Sequence, residues 1–192
     1  PPVHQSSITA SHYALDSHAV RKRETGRVHL DGFLSYPSAV YTVPYGVIVS
    51  KQIDNLLLPV PVSGSHIGFS TLRMEPCWMA IGQAAGIAAS LSIDEKVKIQ
   101  NIPQYKMQDI LVQQKATLMY FRDVEYTDPN FAIVQFMGLR GYLPGWDARL
   151  NEPVDQATIS QWQQLSRVTI KNMEAGKTTR LAALQEIYRQ IK

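Results

Sequence analysis

The stretch CWMAIGQAAGIAASLS, residues 77–92, constrains the fold of this chain more than any other segment. Its small residues Gly82, Ala85, Gly86 and Ala89 recur at i, i+3, i+4 and i+7, which lays them along one face of an α-helix. Glycine inside a helix costs about 1 kcal/mol against alanine. Two on one face therefore predict a surface approached by something flat or by another backbone, or else tight packing of the helix on a sheet with no ligand. The surrounding apolar run, residues 76–93, is interrupted by Gln83, Ser90 and Ser92. That pattern predicts a buried helix rather than a bilayer span, so no membrane span is expected.

Ahead of this helix, Asp54-Asn55 supplies a turn, and residues 56–62, LLLPVPV, form a continuous apolar run of strand length. The run predicts a strand covered on both faces. Between the two lies SGSHIGFSTLRMEP, dense in Gly and Ser, which predicts a loop. Strand, glycine-rich loop and helix together read as α/β. Further upstream, YPSAVYTVPYGVIV, residues 36–49, suits two short strands bent at Pro37 and Pro44. Residues 1–35 read as loops and short strands.

Downstream the period changes. Asn101 and Pro103 open a short helix with Met107, Ile110, Leu111 and Leu118 on its apolar side. Asp128-Pro129 predicts the cap of another, stopped at Arg140-Gly141. Asp155 or Thr158 caps a third, with Ile159, Trp162, Ser166, Thr169 and Met173 inward and Gly176 as its end. Thr178 or Thr179 opens a last amphipathic helix carrying Leu181, Leu184, Ile187, Tyr188 and Ile191. The expected organisation is an α/β region over residues 1–118 and a small all-α domain over 119–192.

Composition narrows the function classes. With 45% hydrophobic and 18% charged residues among 192, the chain can close a core, and disorder as the main state is excluded. The net charge of +3 comes from scattered basic residues whose densest cluster is Arg21, Lys22 and Arg23, so no nucleic-acid partner is expected. Cys77, the single cysteine, excludes an internal disulfide and reads as a packing residue rather than an activated thiolate. The histidines form no i, i+4 pair and no cluster with cysteine, so no metal site is expected. The first residue is proline, without a charged leader or signal region, which reads as a piece excised from a longer parent. Oligomeric state is left open.

Three side chains carry candidate chemistry. His66 has the titration range of a proton donor or acceptor beside a ligand, and equally suits a structural hydrogen bond. His18, two residues after Asp16, makes either an oriented acid–base pair or an ordinary loop motif. Arg73 supplies fixed positive charge or a grip on an anionic substrate group, or else a surface salt bridge.

Residues 36–89 also closely resemble the C-terminal part of the bacterial FAD-dependent oxidoreductases labelled xanthan lyase-like. The matching residues are Pro44, Tyr45, Ser63, Ser65, His66, Ser70, Arg73, Pro76, Met79 and Gly82 through Gly86, with Asp16, Ser17 and His18 as an upstream triplet. The resemblance implies a flavin-binding fold of the two-dinucleotide-binding-domain type, FAD as the cofactor of the intact parent, and a small-molecule substrate. It also implies that the glycine-bearing helix aims its N-terminus at the isoalloxazine pyrimidine edge, with Ser65, Arg73, Met74, Glu75 and Pro76 at the cofactor and His66, Arg73 and His18 as catalytic residues. Unpaired N–H groups and the positive end of the helix dipole favour the negative charge that a reduced flavin develops there. No G-x-G-x-x-G turn for the FAD pyrophosphate occurs in the sequence. The resemblance places it in an N-terminal region of the parent, a partner without which this piece is expected to be inactive.

The segment from residue 121 to 162 is similar to a surface-layer homology repeat, through Phe121, Asp123, Val124, Phe136, Gly141, Gly145 and Pro153. Where such repeats carry an Arg-Glu pair used for cell-wall glycan, this chain has Asp155, Gln156, Ala157 and Thr158. The tail is thus expected to pack or dock rather than hold glycan, and it points to an extracytoplasmic bacterial location. A noncatalytic cell-surface or glycan-binding module is the rival reading of the whole.

Overall fold

The computed structural model describes residues 2–22, 24–26, 32–168 and 173–192. The chain divides into two compact units, Pro1–Tyr120 and Phe121–Lys192.

Among the described residues the first unit holds two antiparallel ribbons of two strands each. β1 (Ser7–Ser11) pairs with β4 (Tyr41–Pro44), Ser11 opposite Tyr41. β2 (Leu15–His18) pairs with β3 (Phe33–Tyr36), Leu15 opposite Tyr36 and His18 opposite Phe33. Ribbons this small have little stability of their own, so helices must supply their packing. α2 (Glu75–Asp94) buries Cys77, Ile81, Ala84, Ala85, Ala88 and Leu91, and packs against β1 and α3 (Gln104–Gln113), which contributes Met107, Leu111 and Val112. Polar ties lock β1 into this layer: Ala10 N–H donates to the Thr117 carbonyl at 2.9 Å, and Ser7 Oγ to that of Leu118 at 2.7 Å. Buried Tyr45 donates its hydroxyl to the Ile99 carbonyl at 2.9 Å.

Several expectations are corrected. Residues 56–62 are not a strand: Leu57 makes one isolated bridge to Val49, and Val60 is exposed. Pro59 and Pro61 remove two N–H donors a ladder would need. The expected loop between that run and α2 contains a helix, α1 (His66–Leu72), because Ser65 caps it by accepting the Gly68 N–H at 3.0 Å. α2 itself starts two residues earlier than Cys77, with Met74 as N-cap. Both sheets are antiparallel, and the described residues contain no parallel strand pair.

The glycine face of α2 also differs from expectation. A Cβ built on Gly82 or Gly86 meets nothing within 4 Å, and Met79 and Ile93 on the same side are each 76% exposed. The described residues therefore place neither a sheet nor a second backbone against that face. Ala85 instead belongs to the buried side. By length and composition α2 is the one helix among the described residues long and apolar enough to cross a membrane.

The second unit comprises α4 (Phe131–Leu139), α5 (Gln156–Ser166) and α6 (Arg180–Ile191) around Phe131, Met137, Leu143, Trp162 and Leu184. The Trp162 indole N–H donates to the Tyr142 carbonyl at 2.9 Å. Asp155 caps α5 by accepting the Thr158 N–H at 2.6 Å, which holds its carboxyl below the usual range. Thr179 caps α6 through the Ala182 N–H, and Gly141, at φ +86, follows the end of α4. Asp128 does not cap α4: it closes a turn by accepting the Asn130 N–H at 2.7 Å, and Asn130 is the N-cap. α5 ends at Ser166 with left-handed Arg167, not at Gly176, and Met173 lies outside it. Thr169, like Arg23 and His29, lies outside the described residues.

Two predictions follow from this packing. Gly86→Ala should raise the unfolding free energy by up to about 1 kcal/mol, since the added methyl group meets open space and alanine is the better helix former; a lowered urea midpoint would show that something occupies that face. Burial pushes the Tyr45 phenol up to about 12, from 10.0. Its contribution is complete below the unfolded value and lost as pH rises through the folded one, so stability should fall between those two values, and Tyr45→Phe should flatten that fall in alkaline urea titrations.

Candidate functional site

The site begins with the strand β2. The Ala19 N–H donates to Gly32 O at 2.9 Å, which sets the alternation of the ribbon: Ser17 faces β3 with its backbone groups, while those of Asp16 and His18 point away to the free edge. Unpaired edge groups need partners. α1 supplies them from one face, because His66, Ser70 and Arg73 stand at i, i+4 and i+7.

Each contact is specific. His66 Nε2 donates to the His18 carbonyl at 2.6 Å. Ser70 Oγ accepts the Asp16 N–H at 3.3 Å and donates to Ile67 O at 2.6 Å. Arg73 Nη2 reaches the Asp16 carbonyl at 3.4 Å and its carboxylate Oδ2 at 2.7 Å, while Nε donates to Ser70 O at 3.3 Å. The other carboxylate oxygen lies 3.3 Å from His18 Nε2. Asp16 thus links an arginine and a histidine, and its bond to His18 orients that imidazole.

A second set of bonds holds α1 in place. Thr71 Oγ1 donates to the Tyr13 carbonyl, and the Tyr41 hydroxyl bonds Thr71 Oγ1 at 2.7 Å and O at 3.0 Å. Ser38 Oγ donates to Tyr13 O at 2.8 Å. These bonds fix the helix face that carries His66 and Arg73.

The structure brings His18, His66 and Arg73 together, with Asp16 between two of them. It gives His66 a place in the first turn of α1, not in a loop, and engages its Nε2 on backbone. The Arg73 guanidinium is in the ion pair with Asp16, its side chain 37% exposed. Ser65 faces its own helix as a cap. Met74, Glu75 and Pro76 open α2 directly after Arg73, which is the C-cap of α1. Cys77 is buried, and burial, partly offset by a hydrogen bond with Ser11, pushes its thiol up, which suits packing rather than a thiolate. Among the described residues no group of His, Cys, Asp and Glu can hold a metal. Ser70 is the member whose role needs three dimensions: its signal is the spacing from His66 and Arg73, hidden while the segment reads as a loop.

The family model of FAD dependent oxidoreductases matches residues 2–111, which contain every residue of this site. The chain belongs to that family. That family implies FAD as the cofactor of the intact parent. Comparisons with curated proteins and with solved structures found no match.

Part of the site fits a flavin. Met74 offers no side-chain cap to α2, so that turn keeps donors its own cap leaves unmet, and Trp78 in the same turn has a buried indole N–H without a partner among the described residues. A buried donor left unmet costs about 1–3 kcal/mol, which a ligand acceptor relieves. Glu75 already places one negative charge in that turn. For the pyrophosphate the sequence offers no G-x-G-x-x-G turn.

The edge contacts rank in stability. Ser70→Ala removes a buried hydroxyl and leaves the half-buried Asp16 N–H without its acceptor, which should cost about 1–3 kcal/mol, whereas exposed His66→Ala should cost about 0.5–1.5 kcal/mol. Urea midpoints of the two variants check the order.

Proposed function

We propose that this chain supplies the ring-edge helix and part of the substrate side of an FAD dependent oxidoreductase of the xanthan lyase-like group, the pyrophosphate turn lying on a further part of a longer chain. The observation that carries the reading is the elbow at Arg73-Met74, where the residue that ends the β2-edge cluster directly precedes the uncapped start of α2. Bound flavin supplies a ring that exchanges two electrons with substrate.

The protein's own residues then have defined tasks. Backbone N–H groups of the first α2 turn and the Trp78 indole would hold the ring edge, with Met74, Glu75 and Pro76 forming the turn. Arg73 sets positive charge beside that edge and stays oriented through Asp16. His18, its Nε2 held by Asp16, keeps Nδ1 for a proton on substrate. His66 positions His18 by gripping its carbonyl. The second unit is read as a packing or docking module.

An extended chain that includes the pyrophosphate turn should purify yellow, and Arg73→Gln in it should slow flavin reduction about ten-fold or more, a loss of roughly 1.4 kcal/mol in the barrier. A folded but colourless extended chain overturns the reading.

A further inference from the structure

We propose that the Asp16/His18 face of the β2–β3 ribbon is a subsite for a neutral pyranoside ring, with Phe33 as its stacking platform. The inference rests on reading this cluster as the substrate side. The register carries it. His18 lies opposite Phe33 and Asp16 opposite Ser35, and both are the non-hydrogen-bonded pairs of the ribbon, since the backbone groups of Asp16 and His18 point outward to α1. In such pairs the Cα atoms approach to about 4.5 Å and the side chains stand side by side on one face. Phe33, Ser35, Asp16 and His18 therefore share a face, while Leu15, Ser17, Leu34 and Tyr36 share the other.

Phe33 is 68% exposed and adds nothing to the core. An open aromatic ring presents a flat apolar surface, and here it is set beside an imidazole, a carboxylate and a hydroxyl. The ligand chemistry follows from the charges. Asp16 is neutralised by Arg73, so an ionic ligand would compete with an ion pair already made. A ring with C–H groups on its face and hydroxyls at its rim meets every group: the C–H face lies on Phe33, and hydroxyls exchange hydrogen bonds with the Asp16 carboxylate, His18 and Ser35. Few polar groups around an apolar platform are the usual means of fixing a ligand's orientation.

The test uses the 192-residue chain without flavin. Saturation-transfer difference NMR with methyl β-D-glucopyranoside should give transfer to the ring C–H protons. Phe33→Ala should reduce it about five-fold or more, as loss of a stacking anchor does, Phe33→Trp should retain it, and Asp16→Asn should weaken it. Sodium benzoate serves as the anionic ring probe. The proposal is overturned by absence of transfer, by equal transfer in a folded Phe33→Ala, or by transfer to benzoate alone. Such a failure leaves the flavin reading standing, whereas failure of the flavin reading shows separately, as a colourless extended chain.

Discussion

The first unit depends on how β2 disposes of its outer edge. A two-stranded ribbon satisfies one side of each strand and leaves the other side to find donors and acceptors elsewhere. Here a helix does what a third strand would do: His66, Ser70 and Arg73 reach the Asp16 N–H and the Asp16 and His18 carbonyls. The same contacts fix the direction of α1, so they also fix the elbow at Arg73-Met74 and the place where α2 begins. Positioning of the candidate chemistry and closure of the backbone are thus one set of bonds.

Local chemistry made part of this legible in the sequence. Asp155, Thr179 and Gly141 act within one helical turn of themselves, and each stands at the helix end its residue type predicts. His18, His66 and Arg73 draw attention as titratable or charged residues in a distinctive pattern. Their meeting is not local: 48 residues separate His66 from His18 in the chain, and no periodicity encodes that contact. Two misreadings share a cause. Glycine and serine conceal α1, although Ser65 is its cap, and the apolarity of residues 56–62 outweighs Pro59 and Pro61, although those prolines remove the donors that a strand requires.

α2 presents two unlike sides. One is closed over by β1 and α3 through small and aliphatic residues, which lets the layers approach. The other carries Gly82 and Gly86 with open space above them, so the helix bears the conformational cost of glycine without any contact in the described residues that requires it. That cost is consistent with a helix whose sequence answers to more than the packing of its own unit.

Asp16 serves the helix and the strand through a single carboxylate, and this ties two equilibria together. A ligand that draws the carboxylate from Arg73 weakens the grip of α1 on β2; conversely, whatever frees α1 changes the affinity for that ligand by the same factor. Any displacement of the carboxylate from Arg73 thereby registers as altered amide exchange along α1, well beyond the ion pair itself.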